Sequence, residues 1–338
     1  MVAFLFIVIL ISMQLEDRIF TINDHNEFER TALDVFSYQY DRISIYREFS
    51  DYLGKSKEKV NSLTEIPFLP IEFFRSNIIR DKAEFDKVFL SSGTTGQERS
   101  KHYISDLKLY EKSFHNAFSQ FYGDPSEFLF AAILPGYIDN PDSSLLYMVD
   151  KLIQSSKNKL SGFYNFDDDH LTTKLKNIRS SNSKNKLIIG VSFALLDIAE
   201  QHSIDLSDCI IMETGGMKGK RKELVREELH AILKGAFKVE KVHSEYGMTE
   251  LLSQAYAKED GIFETPSTMK VMIRDIYQPM SYVSKGGSGG INVIDLSNIH
   301  SLSFLATQDL GKKLSRGRFK VLGRFDHSDV RGCNLLYS

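Results

Sequence analysis

The chain has 338 residues, 42% of them hydrophobic, which is enough to bury the core of two domains or of one large α/β unit with an appendage. Its formal net charge is −3, and the densest basic cluster, KGKRK at 218–222, opens a helical pattern and reads as a solvated face, so nucleic acid is not an expected partner. Two cysteines, Cys209 and Cys333, are too few for a disulfide framework and form no CxxC or Cys/His cluster, which points to a reducing, cytoplasmic setting without a structural metal.

Residues 2–11 (VAFLFIVILI) are ten apolar residues, against the ~20 that span a bilayer as a helix. No Lys or Arg precedes them and no small-residue cleavage site clearly follows, so a signal peptide is weakly supported. From Met13 the sequence turns polar and acidic. Residues 1–12 are read as an over-extended translation start, with a short membrane anchor or a buried strand as the alternatives; a membrane partner is not expected.

Residues 13–65 read as a helical segment, with Phe28, Ala32, Val35 and Phe36 at helical spacing. The prolines of EIPFLPIEFF (65–74) break any helix and predict an extended entry into an α/β core at 66–265. In that core, residues 87–90 form a short apolar strand and 106–121 an amphipathic helix. EFLFAAILP (127–135) and KLIIGVSF (186–193) are apolar runs typical of strands buried on both faces. A strand over 208–216 leads to a helix over 220–237 whose buried face carries Val225, Leu229, Ile232, Leu233 and Ala236, and a strand follows over 239–247. Residues 266–338 read as a β-rich lobe, with strands at 270–274 and 291–296 separated by turn material such as KGGSGG (285–290).

The run SSGTTG (91–96) follows the strand at 87–90. Ser, Gly and Thr offer backbone N–H groups and hydroxyls with nothing bulky in the way, which suits a phosphate; between a strand and a helix, a helix dipole would add to the attraction. A polar surface loop is the plain alternative. Two other phosphate loops are excluded: Gly54-Lys55-Ser56 ends like a Walker loop but has Phe49 at the required first glycine, and Gly287-Ser288-Gly289 meets Asn292 where a third glycine is needed.

Together with its companions, this loop resembles that of the adenylate-forming (acyl/aryl-CoA synthetase, luciferase-like) superfamily. SSGTTG with its basic tail, the Gly215-Gly216 turn after a strand, SEYGMTE (244–250), TQDLG (307–311) and GRFDHSDVRG (323–332) stand in the superfamily's order. SSGTTGQERSKHY, the LPGY and SSLLYM segments within 134–148, GGMKGKRKE (215–223), HSEYGMTELLSQ (243–254) and RGCNL (331–335) further resemble its acyl-protein synthetase (LuxE-type) branch, the ligase of the bacterial bioluminescence fatty-acid reductase; the phenylacetate-CoA ligase group is the second resemblance. The implied fold is α/β: the superfamily's N-terminal large domain, with mixed or parallel sheets, flanking helices and a β-rich C-terminal lobe, lacking the usual C-terminal Lys-bearing domain.

The resemblance implies activation of a carboxylic acid, fatty in that branch, by ATP and Mg²⁺, followed by acyl transfer to a thiol. Ser91, Ser92, Gly93, Thr94, Thr95 and Gly96 would cradle the terminal phosphates, with Arg99 or Lys101 as the cation. Gly215 and Gly216 would contact adenine. Of the residues Glu245, Tyr246, Gly247, Met248 and Thr249 around the nucleotide, Tyr246 would stack on adenine and Thr249 would donate to the α-phosphate. Glu250 would hold Mg²⁺, Asp309 would accept from the ribose hydroxyls, and Arg324 would touch ribose or phosphate; Gln308 replaces a glycine of the superfamily's pattern and weakens its turn. The basic residue Arg331 and the glycine Gly332 beside Cys333 suit a mobile thiolate that accepts the acyl group before a reductase or carrier protein takes it; a structural cysteine is the alternative, and Cys209, inside a strand, is read as structural. Transfer to an external thiol and a non-catalytic nucleotide binder are the competing functions. The run Leu145, Leu146, Tyr147 and Met148 either lines an acyl pocket or is core.

Overall fold

The computed structural model describes residues 15–92, 98–136, 140–215 and 224–325. After a helical stretch at 15–19, the chain forms α1 (His25–Arg42) and α2 (Ser44–Tyr52). Asp24 caps α1 by accepting from Glu27 N at 2.8 Å, while the Glu27 carboxylate accepts from Asn23 N at 2.9 Å, so both ends of the first turn are satisfied. The face spaced as expected, Phe28, Ala32, Val35 and Phe36, is buried, joined by the fully buried Gln39. The extended entry shrinks to β1 (Leu69–Pro70), where the proline sits at the end of a two-residue strand, and a single helical turn, α3 (Phe73–Ser76), follows.

Strands β2 (Lys87–Leu90) and β3 (Lys101–Ile104) pair antiparallel as a separate two-stranded sheet. Then come α4 (Leu107–Tyr122), capped by Asp106 and ended at Gly123 with φ of 95°, β4 (Phe128–Ile133), α5 (Ser144–Ser155), β5 (Gly162–Phe163), α6 (Leu171–Arg179), β6 (Asn185–Val191), α7 (Ser192–Gln201), β7 (Ile210–Thr214), α8 (Arg226–Phe237) and β8 (Val242–Tyr246). All six residues of β4 are buried, as its unbroken apolar run predicts. The run at 186–193 gives up its last two residues to α7. The part of the expected helix at 220–237 that can be described starts at Arg226, so Val225 stands outside it and is 66% exposed rather than on the buried face.

The remaining strands are β9 (Ala255–Ala257), β10 (Phe263–Glu264), β11 (Met269–Arg274), β12 (Ser288–Asp295), β13 (Phe304–Lys313) and β14 (Phe319–Arg324). Twelve strands form one sheet in the order β11-β12-β13-β14-β10-β9-β8-β7-β6-β4-β5, with β1 parallel to β13 off that path. Neighbours are parallel from β5 to β8 and antiparallel from β8 to β11. Gly289 and Gly290, expected as turn material, lie inside β12. A Cβ on them would meet Arg274 O at 2.0 Å and the Arg274 guanidinium at 2.3 Å. That guanidinium ties three strands together through Ile291 O, Asn292 Oδ1 and Thr307 O at 2.7–2.8 Å.

Two apolar cores result. One packs α4 to α8 on the parallel strands; the other packs α1, α2 and β1 on the antiparallel strands. The carboxyl end of β8, where the sheet changes sense, lies at their junction, a position where open α/β sheets bind ligands.

Candidate functional site

Gly247, Met248, Thr249 and Glu250 leave β8 as a tight turn, closed by Leu251 N donating to Met248 O at 3.1 Å. Tyr246, the last residue of β8, is only 8% exposed. Its ring lies edge-on to Phe263 and Phe319 at 5.9 and 5.8 Å, and its hydroxyl donates to Asp309 Oδ2 at 2.8 Å. Burial and the Asp309 charge raise its pKa well above the usual value, so the phenol keeps its proton. Asp309 on β13 faces Arg324 on β14 in register, with Arg324 Nε 3.5 Å from Asp309 Oδ1. Three residues singled out in separate motifs thus converge. TQDLG is strand rather than turn: Gln308 lies within β13 and its amide donates to Glu72 at 2.5 Å.

Glu250 is 5% exposed. Burial raises its pKa, opposed by a hydrogen bond with the Ser100 side chain and by the charges of Arg324 and Arg75. Glu245, also buried, accepts from the Thr214 hydroxyl on β7. Desolvation pushes its carboxyl up to about 7, with the neighbouring Glu213 adding to the shift. Its Oε1 lies 2.5 Å from where a Cβ on residue 247 would stand, so any larger residue there would have to displace the Glu245 carboxyl. Because the folded chain holds the Glu245 proton more tightly than the unfolded chain, stability is lost as pH rises from the ordinary 4.5 through 7, by about 3 kcal/mol in all. Glu245→Gln, neutral throughout, is therefore expected to melt above the parent at pH 8 and level with it at pH 5. Thermal denaturation across that range checks this, and a pH-independent difference would contradict it.

The Ser/Gly/Thr loop joins β2 to β3, two antiparallel strands, so no helix N-terminus follows it directly; the next helix begins at Leu107. Its neck is closed by Ser91 N donating to Ser100 O at 3.1 Å and Ser100 N donating to Ser91 Oγ at 2.9 Å. Ser92 is exposed, and residues 93–97 (Gly93, Thr94, Thr95 and Gly96 among them) lie outside the described residues. Arg99 turns back on the neck, its guanidinium donating to Ser91 O at 2.5 Å and Leu90 O at 3.5 Å, while Lys101 is exposed. Gly215 ends β7 with φ of 68°, a conformation glycine adopts without strain, and its carbonyl accepts from Ser192 Oγ at 2.6 Å. Gly216 and Cys333 lie outside the described residues. Cys209 is buried and its thiol is pushed up to about 12 by burial, which keeps it protonated.

Several participants carried no motif. Glu213 on β7 accepts from Ser192 Oγ at 2.9 Å and Arg226 Nε at 3.0 Å, with His230 Nε2 at 3.6 Å. Burial raises its pKa, but His230 and Arg226 outweigh that and leave it low. Arg226 also donates to Val321 O at 3.3 Å, linking β7 to β14 beneath the site. Below Glu245 a cavity of about 10 Å³ is lined by Phe118, Phe130, Met148, Val149, Leu152 and Tyr256 among others. Of the run 145–148, Met148 faces it, whereas Tyr147 donates to Glu111 at 2.6 Å.

These residues fit ATP with magnesium. Gln254 Oε1 is buried without a hydrogen-bond partner, and its Cγ lies 3.3 Å from where a Cβ on residue 247 would be, leaving an acceptor beside the Gly247 turn. Glu250 supplies a hard oxygen, and no cluster of three or more His, Cys, Asp or Glu suited to a metal exists among the described residues. A cation shared between one carboxylate and phosphate oxygens matches that donor set better than an all-protein cage.

The fold is shared with MatB and with a 2-hydroxyisobutyryl-CoA ligase. A 2-hydroxyisobutyryl-CoA ligase in an open conformation with 2-HIB-AMP and CoA matches 89% of this chain and 71% of its own, with a TM-score of 0.65 and 12% identity. The same ligase in the thioesterification state matches 90% and 70%, with a TM-score of 0.64 and 13% identity. ATP-bound MatB from Rhodopseudomonas palustris matches 72% of this chain and 49% of its own, with a TM-score of 0.53 and 16% identity, so the chain spans about half the length of MatB. No protein-family model and no curated protein matches the chain. Among the described residues no helix is long and apolar enough to cross a membrane.

Proposed function

We propose that the chain activates a carboxylic acid with ATP and passes the acyl group to a thiol. The observation that carries this reading is the convergence of Tyr246, Asp309 and Arg324, on a fold shared with MatB solved with ATP and with a CoA ligase solved with an acyl-adenylate. A carboxylate oxygen of the acid attacks the α-phosphorus, and the bond to the bridging oxygen breaks, releasing pyrophosphate. Asp309 accepts from the ribose hydroxyls, Lys101 and the loop hydroxyls neutralise the terminal phosphates, and Thr249 donates to the α-phosphate. Magnesium, held by Glu250, would offset the charge that develops on the phosphate oxygens. Carboxylate-dependent exchange of pyrophosphate into ATP tests the reading; no exchange with any acid in a broad panel would leave a nucleotide binder without turnover.

For the second step the thiolate of Cys333 attacks the acyl carbon and AMP leaves, giving a thioester that a reductase or carrier protein collects. Transfer to an external thiol is the second reading, favoured by the CoA in the 2-hydroxyisobutyryl-CoA ligase structure. Incubation with ATP, Mg²⁺ and labelled fatty acid is expected to leave hydroxylamine-sensitive label on the protein that Cys333→Ala loses. Label that persists in the variant, or acyl-CoA formation unaffected by it, sinks the Cys333 assignment.

A further inference from the structure

At one end of the sheet β11 stops at Arg274, β12 begins at Ser288, β13 stops at Lys313 and β14 begins at Phe319. Two turns, 275–287 and 314–318, therefore project there. They are joined at the base, where Gly286 N donates to Lys313 O at 2.8 Å and Lys313 N donates to Gly287 O at 2.9 Å. The tip of the first turn closes on itself, with Asp275 N donating to Ser281 O at 2.8 Å and Val283 N to Ile273 O at 3.0 Å. It leaves three large apolar side chains in the open: Tyr277 is 80% exposed, Met280 52% and Ile276 43%.

The same end is basic. Lys285, Lys312, Lys313 and Arg316 are exposed and Arg318 is half-buried. The acid of these turns, Asp275, has its carboxylate held by Tyr277 N at 2.8 Å and Gln278 N at 3.0 Å. Five cations against that one acid leave a local charge of +4, in a chain whose net charge is −3. Among the described residues no carboxylate lies within ion-pair distance of the five. The neighbouring Lys320, by contrast, pairs with Glu227 at 3.1 Å, and Arg324 sits 3.5 Å from Asp309. Protein interfaces are depleted of lysine. Apolar side chains flanked by unpaired Lys and Arg instead match a lipid–water boundary, where the apolar groups enter the headgroup layer and the cations meet anionic lipid. A tyrosine there keeps its hydroxyl wet.

We propose that these two turns dock the chain on an anionic membrane surface, with Ile276, Tyr277 and Met280 entering the headgroup layer and the five cations meeting lipid phosphates. The sequence expectation of no membrane partner concerned an apolar run, and a surface assembled by strand pairing contains none. Asp309 stands on β13 four residues before Lys313, on the order of 13 Å along the strand, so docking brings the candidate site close to lipid. That suits an acid of lipid origin as substrate, a corollary that rests on the reading under Proposed function, whereas the docking does not.

The test is co-sedimentation of the full chain with vesicles of phosphatidylcholine alone and of phosphatidylcholine mixed with phosphatidylserine, at low and high salt. Binding to the mixed vesicles that salt weakens is expected, with phosphatidylcholine alone bound about tenfold less or weaker still. Lys285→Glu with Lys312→Glu, and separately Tyr277→Ser with Met280→Ser, are each expected to lower binding to the mixed vesicles about tenfold or more. All four side chains are exposed, so both variants are expected to melt with the parent. Equal binding to the two vesicle types, or binding indifferent to salt, overturns the proposal. So does binding that either variant leaves undiminished, which places the lipid contact elsewhere, residues 2–11 being intact in every variant. A parent that sediments with neither vesicle overturns it too; if that parent dimerises and the Tyr277/Met280 variant does not, the tip belongs to a second copy. Docking is scored without ATP, so a chain that docks yet exchanges no pyrophosphate defeats the proposed reaction and leaves the docking standing.

Discussion

Glu250→Gln is expected to lower carboxylate-dependent pyrophosphate exchange by about 10²–10³-fold while leaving the melting temperature unchanged or raised, the loss typical when one preorganised electrostatic contributor is removed. The amide keeps the shape of the side chain and a partner for Ser100, and the Glu250 backbone carbonyl still meets Asn298. What disappears is a negative charge that burial disfavours and that Arg324 and Arg75 only partly support. A neutral amide relieves that burial penalty, so activity and stability move apart. Steady-state exchange and thermal melts of one preparation read both quantities. A variant that exchanges like its parent would show that the cation is held elsewhere; one that loses activity and stability together would show that Glu250 is structural.

The second large effect concerns the join between the N-terminal helices and the sheet. Phe304, buried at the start of β13, meets Phe36 of α1 edge-on at 6.2 Å, stacks on Tyr46 of α2 at 6.1 Å and takes Phe68 edge-on at 6.2 Å. Phe304→Ala empties the centre of this aromatic cluster, and truncations of this kind cost about 3–5 kcal/mol. Against a total stability of about 5–15 kcal/mol that is a large share. A lowered urea midpoint with unchanged slope is expected. A midpoint within experimental error of the parent's would mean that the helices contribute nothing to the cooperative unit.

Much of the architecture was legible because the local signal and the tertiary context agree. The β4 run is apolar without a break and is buried on both faces, and the α1 pattern places Phe28 to Phe36 on one buried face. Where the signal is composition without period, boundaries slip: Ser192 and Phe193 continue the apolar run of β6 yet begin α7. The glycines at 289 and 290 misled for a different reason, since their cause is Arg274, its backbone carbonyl at 289 and its guanidinium at 290, which only the folded sheet brings there. In the site, Tyr246, Asp309 and Arg324 were found through motifs, and their meeting is visible in the hydrogen bonds. His102, Asn298, Glu213 and Arg226 were not found, because a buried polar residue declares its role only through partners distant in sequence.

The buried Gln39 shows how far apart such partners are. Its amide donates to the carbonyls of Asn298, Ile299 and Ser301 and accepts from Ser303 N, contacts spanning 259 to 264 residues of sequence. β1 finds its strand partner at 305–306, almost as far along. During synthesis the helices around Phe36 and Tyr46 therefore leave the ribosome long before the strand that covers them, their aromatic faces bare until Phe304 has followed. At about 5–20 residues per second that interval is on the order of ten seconds or more, long enough for chaperones to matter. The aromatic faces of α1 and α2 are thus sealed only once β13 has been made.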